Sequence, residues 1–319
     1  MIKRKTVFVL GAGAHAPYGF PIGAGLLSKI INLLPEWDNS NSFSDLLFDQ
    51  YRNNPALTLT SLRLFRTALV GSGHISIDSF LATNAERPGF AEIGRLAIAT
   101  VLLPLDLKND FSRGAAPLDW MSYLFSSMLK GAHWSIEEFL TENHVSFVTF
   151  NYDRTLEHFL WVRFLHTFNL SSEQAWAMAQ HIPVVHVCGS LGRFDPSIIN
   201  RVRQALPPSA FREAAESIRL MYDERGVGGD VQDAKVLITG AECVCFLGFG
   251  FDLDNISYLD LNELCQPNKS VFATRYLVAD GEWNRIRKSM LPTVLRAGGQ
   301  DANQNWDSLG LLQQTEAIG

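Results

Sequence analysis

Val7-Phe8-Val9-Leu10-Gly11-Ala12-Gly13 is the stretch on which the fold turns. The apolar, β-branched and aromatic run 6–10 predicts a short strand covered on both faces, as in a parallel sheet. The glycines that follow permit unusual backbone angles and let main-chain N–H groups approach a phosphate closely. By itself the motif is equally a plain turn, because no third glycine completes a G-x-G-x-x-G fingerprint.

Outward from that turn, strand character returns at 145–150, 184–188, 243–247 and 271–274. Helical patterns occupy 26–34, 57–70, 77–83, 90–103, 118–130, 136–142 and 155–168. Strands alternating with helices imply parallel crossovers and helices on both sheet faces. The expectation is an α/β, doubly wound parallel sheet over residues 1–300. A helical insertion at about 36–143 interrupts it after the first strand–helix unit, and 301–319 form a polar tail.

With 319 residues, 47% of them hydrophobic, the chain suffices for one large domain or a domain with an insertion. A net charge of -6 argues against nucleic-acid binding as the main task. Arg201, Arg203 and Arg212 cluster in sequence, and a solvated helical surface explains them. The first five residues lead directly into a strand, so no signal peptide is expected. The apolar run 97–105 is too short to span a bilayer and contains Pro104, so no membrane contact is expected. The four cysteines lack paired C-x-x-C knuckles, and Cys243 and Cys245 alternate along an apolar strand. A reduced, cytoplasmic protein without a metal site follows as the expectation.

Three further strand ends carry chemistry. Asn151 and Asp153 follow the second strand, where open α/β sheets bind ligands. Asn151 can donate and accept hydrogen bonds, as a ribose or a positioned water requires, whereas Asp153 also suits a helix cap. His186-Val187-Cys188-Gly189-Ser190 is again strand running into turn. His186 and Cys188, two residues apart on this strand, project to the same face, and the histidine is either a base or a satisfied core residue. Gly248-Phe249-Gly250-Phe251, with Asp254 and Asn255 opening the next helix, closes the set. Its glycines suit close approach of a base or ribose, or a turn with an N-cap.

In order and spacing these segments, with Tyr18 to Gly23 and Ser76 to Leu81, resemble the sirtuin superfamily, specifically the minimal sirtuin-like domains of bacterial antiphage systems. The resemblance implies a Rossmann-like sheet with NAD+ across its switch point. Gly11, Ala12 and Gly13 would hold the pyrophosphate. Asn151 would position ribose and water, with His186 as the catalytic histidine. Gly189 and Ser190 would lie near the ribose or phosphate, and Gly248, Phe249 and Gly250 near the adenosine half. His15, Pro21, Asp78, Asp153 and Asn255 complete the implied NAD+ contacts.

The chain departs from the family at named positions. His15 stands where a serine is usual, and Cys188 where a histidine precedes the glycine. The zinc module of protein-deacylating sirtuins is absent, which disfavours an acyl-lysine substrate and leaves water as acceptor. The resemblance thus implies an NAD+ glycohydrolase releasing nicotinamide and an ADP-ribose product. NAD+ would be substrate, with no further cofactor and no zinc. The alternative is a module that senses NAD+ or ADP-ribose without turnover, and a deacylase is the third reading. By the same resemblance such domains form homo-oligomers or act with Argonaute-like proteins or translocase-type ATPases, restrained until triggered.

Overall fold

Thr6–Leu10, five consecutive buried residues, form the central strand β1. On one side it pairs with β2 (Val145–Thr149), Thr6 opposite Val145, and on the other with β4 (Cys243–Leu247), Thr6 opposite Cys243. β3 (Val184–His186) extends the sheet beyond β2, while β5 (Ser270–Ala273) and then β6 (Leu295–Ala297) extend it beyond β4. Every pairing is parallel and the order is β3-β2-β1-β4-β5-β6, that of a Rossmann-like doubly wound fold. The chain order reverses between β1 and β4, the switch point beyond whose carboxyl strand ends sheets of this kind bind ligands. The computed structural model describes residues 1–36, 40–109, 111, 119–130, 135–197, 206–221, 229–265, 268–275, 278–289, 295–297 and 312.

The described elements between β1 and β2 are all helical. They are α1 (Ala12–His15), a single 3-10 turn (Ala16–Tyr18), α2 (Gly23–Leu33), α3 (Ser42–Gln50), α4 (Leu59–Gly71), α5 (Ile77–Thr83), α6 (Phe90–Lys108), α7 (Trp120–Leu129) and α8 (Ile136–Glu142). α6 is the spine of this region, packing against α2, α3, α4 and α5. After β2 come α9 (Thr155–Thr167) and α10 (Ser172–Ala179), then α11 (Pro208–Ser217) and α12 (Gly229–Gly240) between β3 and β4. Beyond β4 lie α13 (Leu253–Tyr258), α14 (Leu261–Leu264) and α15 (Asp280–Ser289). No described helix is long and apolar enough to cross a membrane.

Several boundaries differ from those read in the sequence. β3 ends at His186, not 188, because Val187 and Cys188 form a turn closed by the Gly189 N–H donating to His186 O at 3.2 Å. α6 continues through Pro104 to Lys108; burial of Leu102, Leu103, Asp106 and Leu107 outweighs the hydrogen bond that proline removes. α3 lies within the expected helical insertion but outside the helical patterns read there, and Asn41 and Ser44 form a reciprocal capping box at its start. β6 is three residues long, too short to show a period. Arg201, Arg203 and all of 301–319 except Leu312 lie outside the described residues. Leu312 is buried. Arg212 is exposed and pairs with Glu216.

Candidate functional site

The glycine turn is built against the end of β4. The Gly11 N–H donates to Leu247 O and the Gly13 N–H to Gly248 O, each at 3.0 Å. A Cβ on Gly11 would sit 2.6 Å from Gly248 O, and one on Gly248 would sit 1.9 Å from Ala14 N. Gly248 also has φ +57°, a left-handed angle that disfavours side chains. Main chain lies directly on main chain, so these glycines join two strand ends that the sequence separates by over two hundred residues. The expected phosphate cradle is correspondingly narrower. Two of its three amides already serve the sheet, and only the Ala12 N–H has no acceptor among the described residues.

Asn151 is the neighbouring buried polar group. Its Nδ2 donates to Gly11 O at 3.1 Å, and its own N–H donates to Thr149 Oγ1 at 3.0 Å. Its carbonyl accepts from His186 Nδ1 at 2.9 Å, while His186 Nε2 meets Glu157 Oε1 at 2.8 Å. Burial alone would lower the His186 pKa. The Glu157 carboxylate and hydrogen bonds to Glu157 and Asn151 O outweigh it and raise the pKa to about 9. His186 is therefore an imidazolium at neutral pH, with both N–H groups donated. This geometry offers a clamp on the Asn151 main chain rather than the proton acceptor that the sequence suggested.

The alternation of strand faces does not reach Cys188, because the strand ends at His186. Its thiol is buried, and burial, with Asp78 nearby, pushes its pKa up and keeps it neutral. Asp78, on α5, accepts the Tyr152 hydroxyl proton in a short hydrogen bond, and burial raises the Asp78 pKa. Tyr152 stands between Asn151 and Asp153, so Asp78 belongs to the same cluster.

His15 and Asp153 form a second imidazole–carboxylate pair, 2% and 4% exposed. Nδ1 lies 2.7 and 2.9 Å from the two carboxylate oxygens, and Asp153 Oδ1 also accepts the Thr155 N–H at the start of α9. Burial would raise the Asp153 pKa, but His15 and the Thr155 hydrogen bonds hold it below the usual carboxylate range. Asp153 thus steadies the helix start and also binds His15. The His15 ring lies among Tyr18, Phe20 and Trp120, stacking on the indole at 6.4 Å between centroids. Its Nε2 is buried and has no hydrogen-bond partner. Leaving such an atom unsatisfied costs about 1–3 kcal/mol in a folded protein.

The remaining expected residues lie around this network. Phe249 is buried, packed against Phe150, Phe246 and Phe251, so its ring serves the core. Gly250 is open to solvent, and Asn255 is half-buried on α13, whose cap is Asp252 rather than Asp254. Gly189, at φ +68°, is pressed against the main chain of Ser217, and Ser190 Oγ donates to Gly192 O within its own loop. Pro21 is half-buried, and a Cβ on Gly25 in the first turn of α2 would sit 3.3 Å from its Cβ. Of three cavities of about 260, 350 and 280 Å³, the first is lined in part by Arg154 and the third by Glu157 and Ser190, while Gly11, Asn151 and Gly248 line none of the three. Among the described residues no group of three or more His, Cys, Asp or Glu side chains could hold a metal ion.

Glu157, Thr274 and the Asp106–Arg154 pair escape a sequence reading. Thr274 Oγ1 accepts the Gly248 N–H at 2.8 Å. Asp106 receives the Arg154 main-chain N–H at 2.7 Å and its guanidinium at 2.6 Å, tying α6 to the loop after Asp153. Only long-range geometry brings these partners together; none stands in a recognisable spacing. A scan against protein-family models gives no match, and a search of curated proteins finds none.

Proposed function

We propose that the chain is a sirtuin-like NAD+ glycohydrolase that cleaves the nicotinamide–ribose bond and releases nicotinamide and ADP-ribose. One observation carries this reading: Asn151, just past β2, is held by Gly11 and His186 beside the switch point of a 3-2-1-4-5-6 sheet. An amide fixed there can position a ribose hydroxyl or one water beside the anomeric carbon, converting a bimolecular attack into an oriented one. The Ala12 N–H beside it supports a phosphate contact. Nicotinamide leaves as a neutral base from a cationic nucleotide, so the bond is broken by stabilising an oxocarbenium-like centre.

The test is nicotinamide release from NAD+ by the purified chain, alone and with candidate activators. Asn151→Ala is expected to lower the rate by at least about 10²-fold, the scale of losing one positioning contact. No nicotinamide under any of these conditions refutes the reading. The neutral Cys188 and the clamped His186 favour a second one, an NAD+ or ADP-ribose sensor without turnover. Calorimetry showing tight binding of NAD+ that stays intact for hours selects it. An antiphage role, with NAD+ depletion on activation in the cytoplasm, belongs to the proposal. So do assembly into homo-oligomers and control by a translocase-type ATPase or Argonaute-like partner. Expression of the chain alone is expected to spare cellular NAD+, and rapid depletion contradicts such restraint.

A further inference from the structure

Resting on the hydrolase reading, we propose that His15, oriented by Asp153, accepts the proton of the attacking water, while His186 only positions Asn151. Four observations converge on His15. Donation from Nδ1 to a carboxylate leaves Nε2 as the ring's proton-exchanging position, the base-and-orienter half of many hydrolytic sites. That Nε2 is buried and unpartnered, so a substrate-bound water would complete its hydrogen bonding.

Position is the third observation. His15 lies two residues past Gly13, and Asp153 two residues past Asn151. The pair therefore bridges the same two strand-end loops as the Asn151–Gly11 hydrogen bond. Fourth, the rival groups are engaged. His186 uses both nitrogens, the Cys188 thiol is neutral, and Asp78 holds the Tyr152 hydroxyl. Tyr18, Phe20 and Trp120 keep bulk water off the imidazole.

In the step itself, the water oxygen bonds to the anomeric carbon. The bond from that carbon to the nicotinamide ring nitrogen breaks, and its electron pair stays on nicotinamide. The water proton passes to His15 Nε2 and then to solvent. NAD+ and water thus give nicotinamide, ADP-ribose and one proton.

His15→Asn keeps a short amide donor towards Asp153 but removes the exchanging nitrogen. It is expected to lower kcat for nicotinamide release by about 10²–10⁴-fold, the range for general-base loss. KM for NAD+ should stay near the parent's. An unchanged kcat, even with a lowered melting temperature, makes His15 a packing residue and overturns the proposal.

A second measurement covers a variant that fails to fold. With imidazole nitrogens labelled in the parent protein, the His15 Nε2 resonance is expected to shift as ADP-ribose is added. ADP-ribose binding with that resonance unmoved overturns this proposal and leaves the hydrolase reading standing. Failure to bind NAD+ and ADP-ribose, or binding of NAD+ without nicotinamide release, overturns both.

Discussion

Glu157→Gln tests the clamp on Asn151. In the parent, His186 has a pKa of about 9, against an ordinary value of 6.5. A histidine raised on folding stabilises the native state fully below its unfolded pKa and loses that contribution as pH rises through the folded value. Integrated over the two values, the contribution is about 3 kcal/mol at pH 5.5 and at pH 7, and under about 1 kcal/mol at pH 9. About 2 kcal/mol therefore disappears between pH 7 and 9. Without the Glu157 carboxylate, burial dominates and His186 turns neutral, so Glu157→Gln should lack this slope. Urea unfolding of both proteins at each pH measures it, and their difference cancels other groups that titrate in the range. A parent whose stability stays level from pH 7 to 9, or a variant with the parent's slope, refutes the reasoning.

Gly248→Ala forces a Cβ to within 1.9 Å of Ala14 N at a left-handed φ, and should cost about 2–6 kcal/mol. A melting temperature within about 2 °C of the parent's contradicts that close contact. Thr274→Val strands the Gly248 N–H and should cost about 1–3 kcal/mol in urea unfolding; no change means another acceptor replaces Oγ1. Cys188, buried and neutral, should resist iodoacetamide in the native protein, and Cys188→Ala should keep the parent's nicotinamide release. Rapid alkylation at Cys188, or loss of activity on its replacement, contradicts a buried, neutral thiol that takes no part in the reaction.

The sheet was legible because its strands announce themselves locally. Thr6–Leu10 and Cys243–Leu247 are continuous apolar runs, and turn residues follow both. The site was legible only as a set of strand ends. That Asn151 and His186 belong together follows from β2 pairing with β3, with Thr149 opposite His186. Whether that histidine is open or clamped depends on Glu157, which projects from α9 and carries no signal of its own. His15 presents the opposite case: it reads as a departure from a serine, and its meaning appears only when Asp153, far along the chain, is found against it. The extent of β3 was misjudged because Val187 and Cys188 are as apolar as the strand before them. Gly189 ends the strand through its own N–H.

The helices between β1 and β2 are fastened to the glycine turn itself. Trp120 Nε1, on α7, donates to Ala14 O at 2.7 Å, and Tyr18 OH donates to Asp119 Oδ1 at 2.7 Å. Asp119 also caps α7 through the Ser122 N–H. α7 is thereby a crank with its short arm on the peptide group next to His15. Turning the helix by even a fraction of its hydrogen-bond length must drag that carbonyl or release it. A force applied to α7 thus has a direct hydrogen-bonded route to the peptide group next to His15.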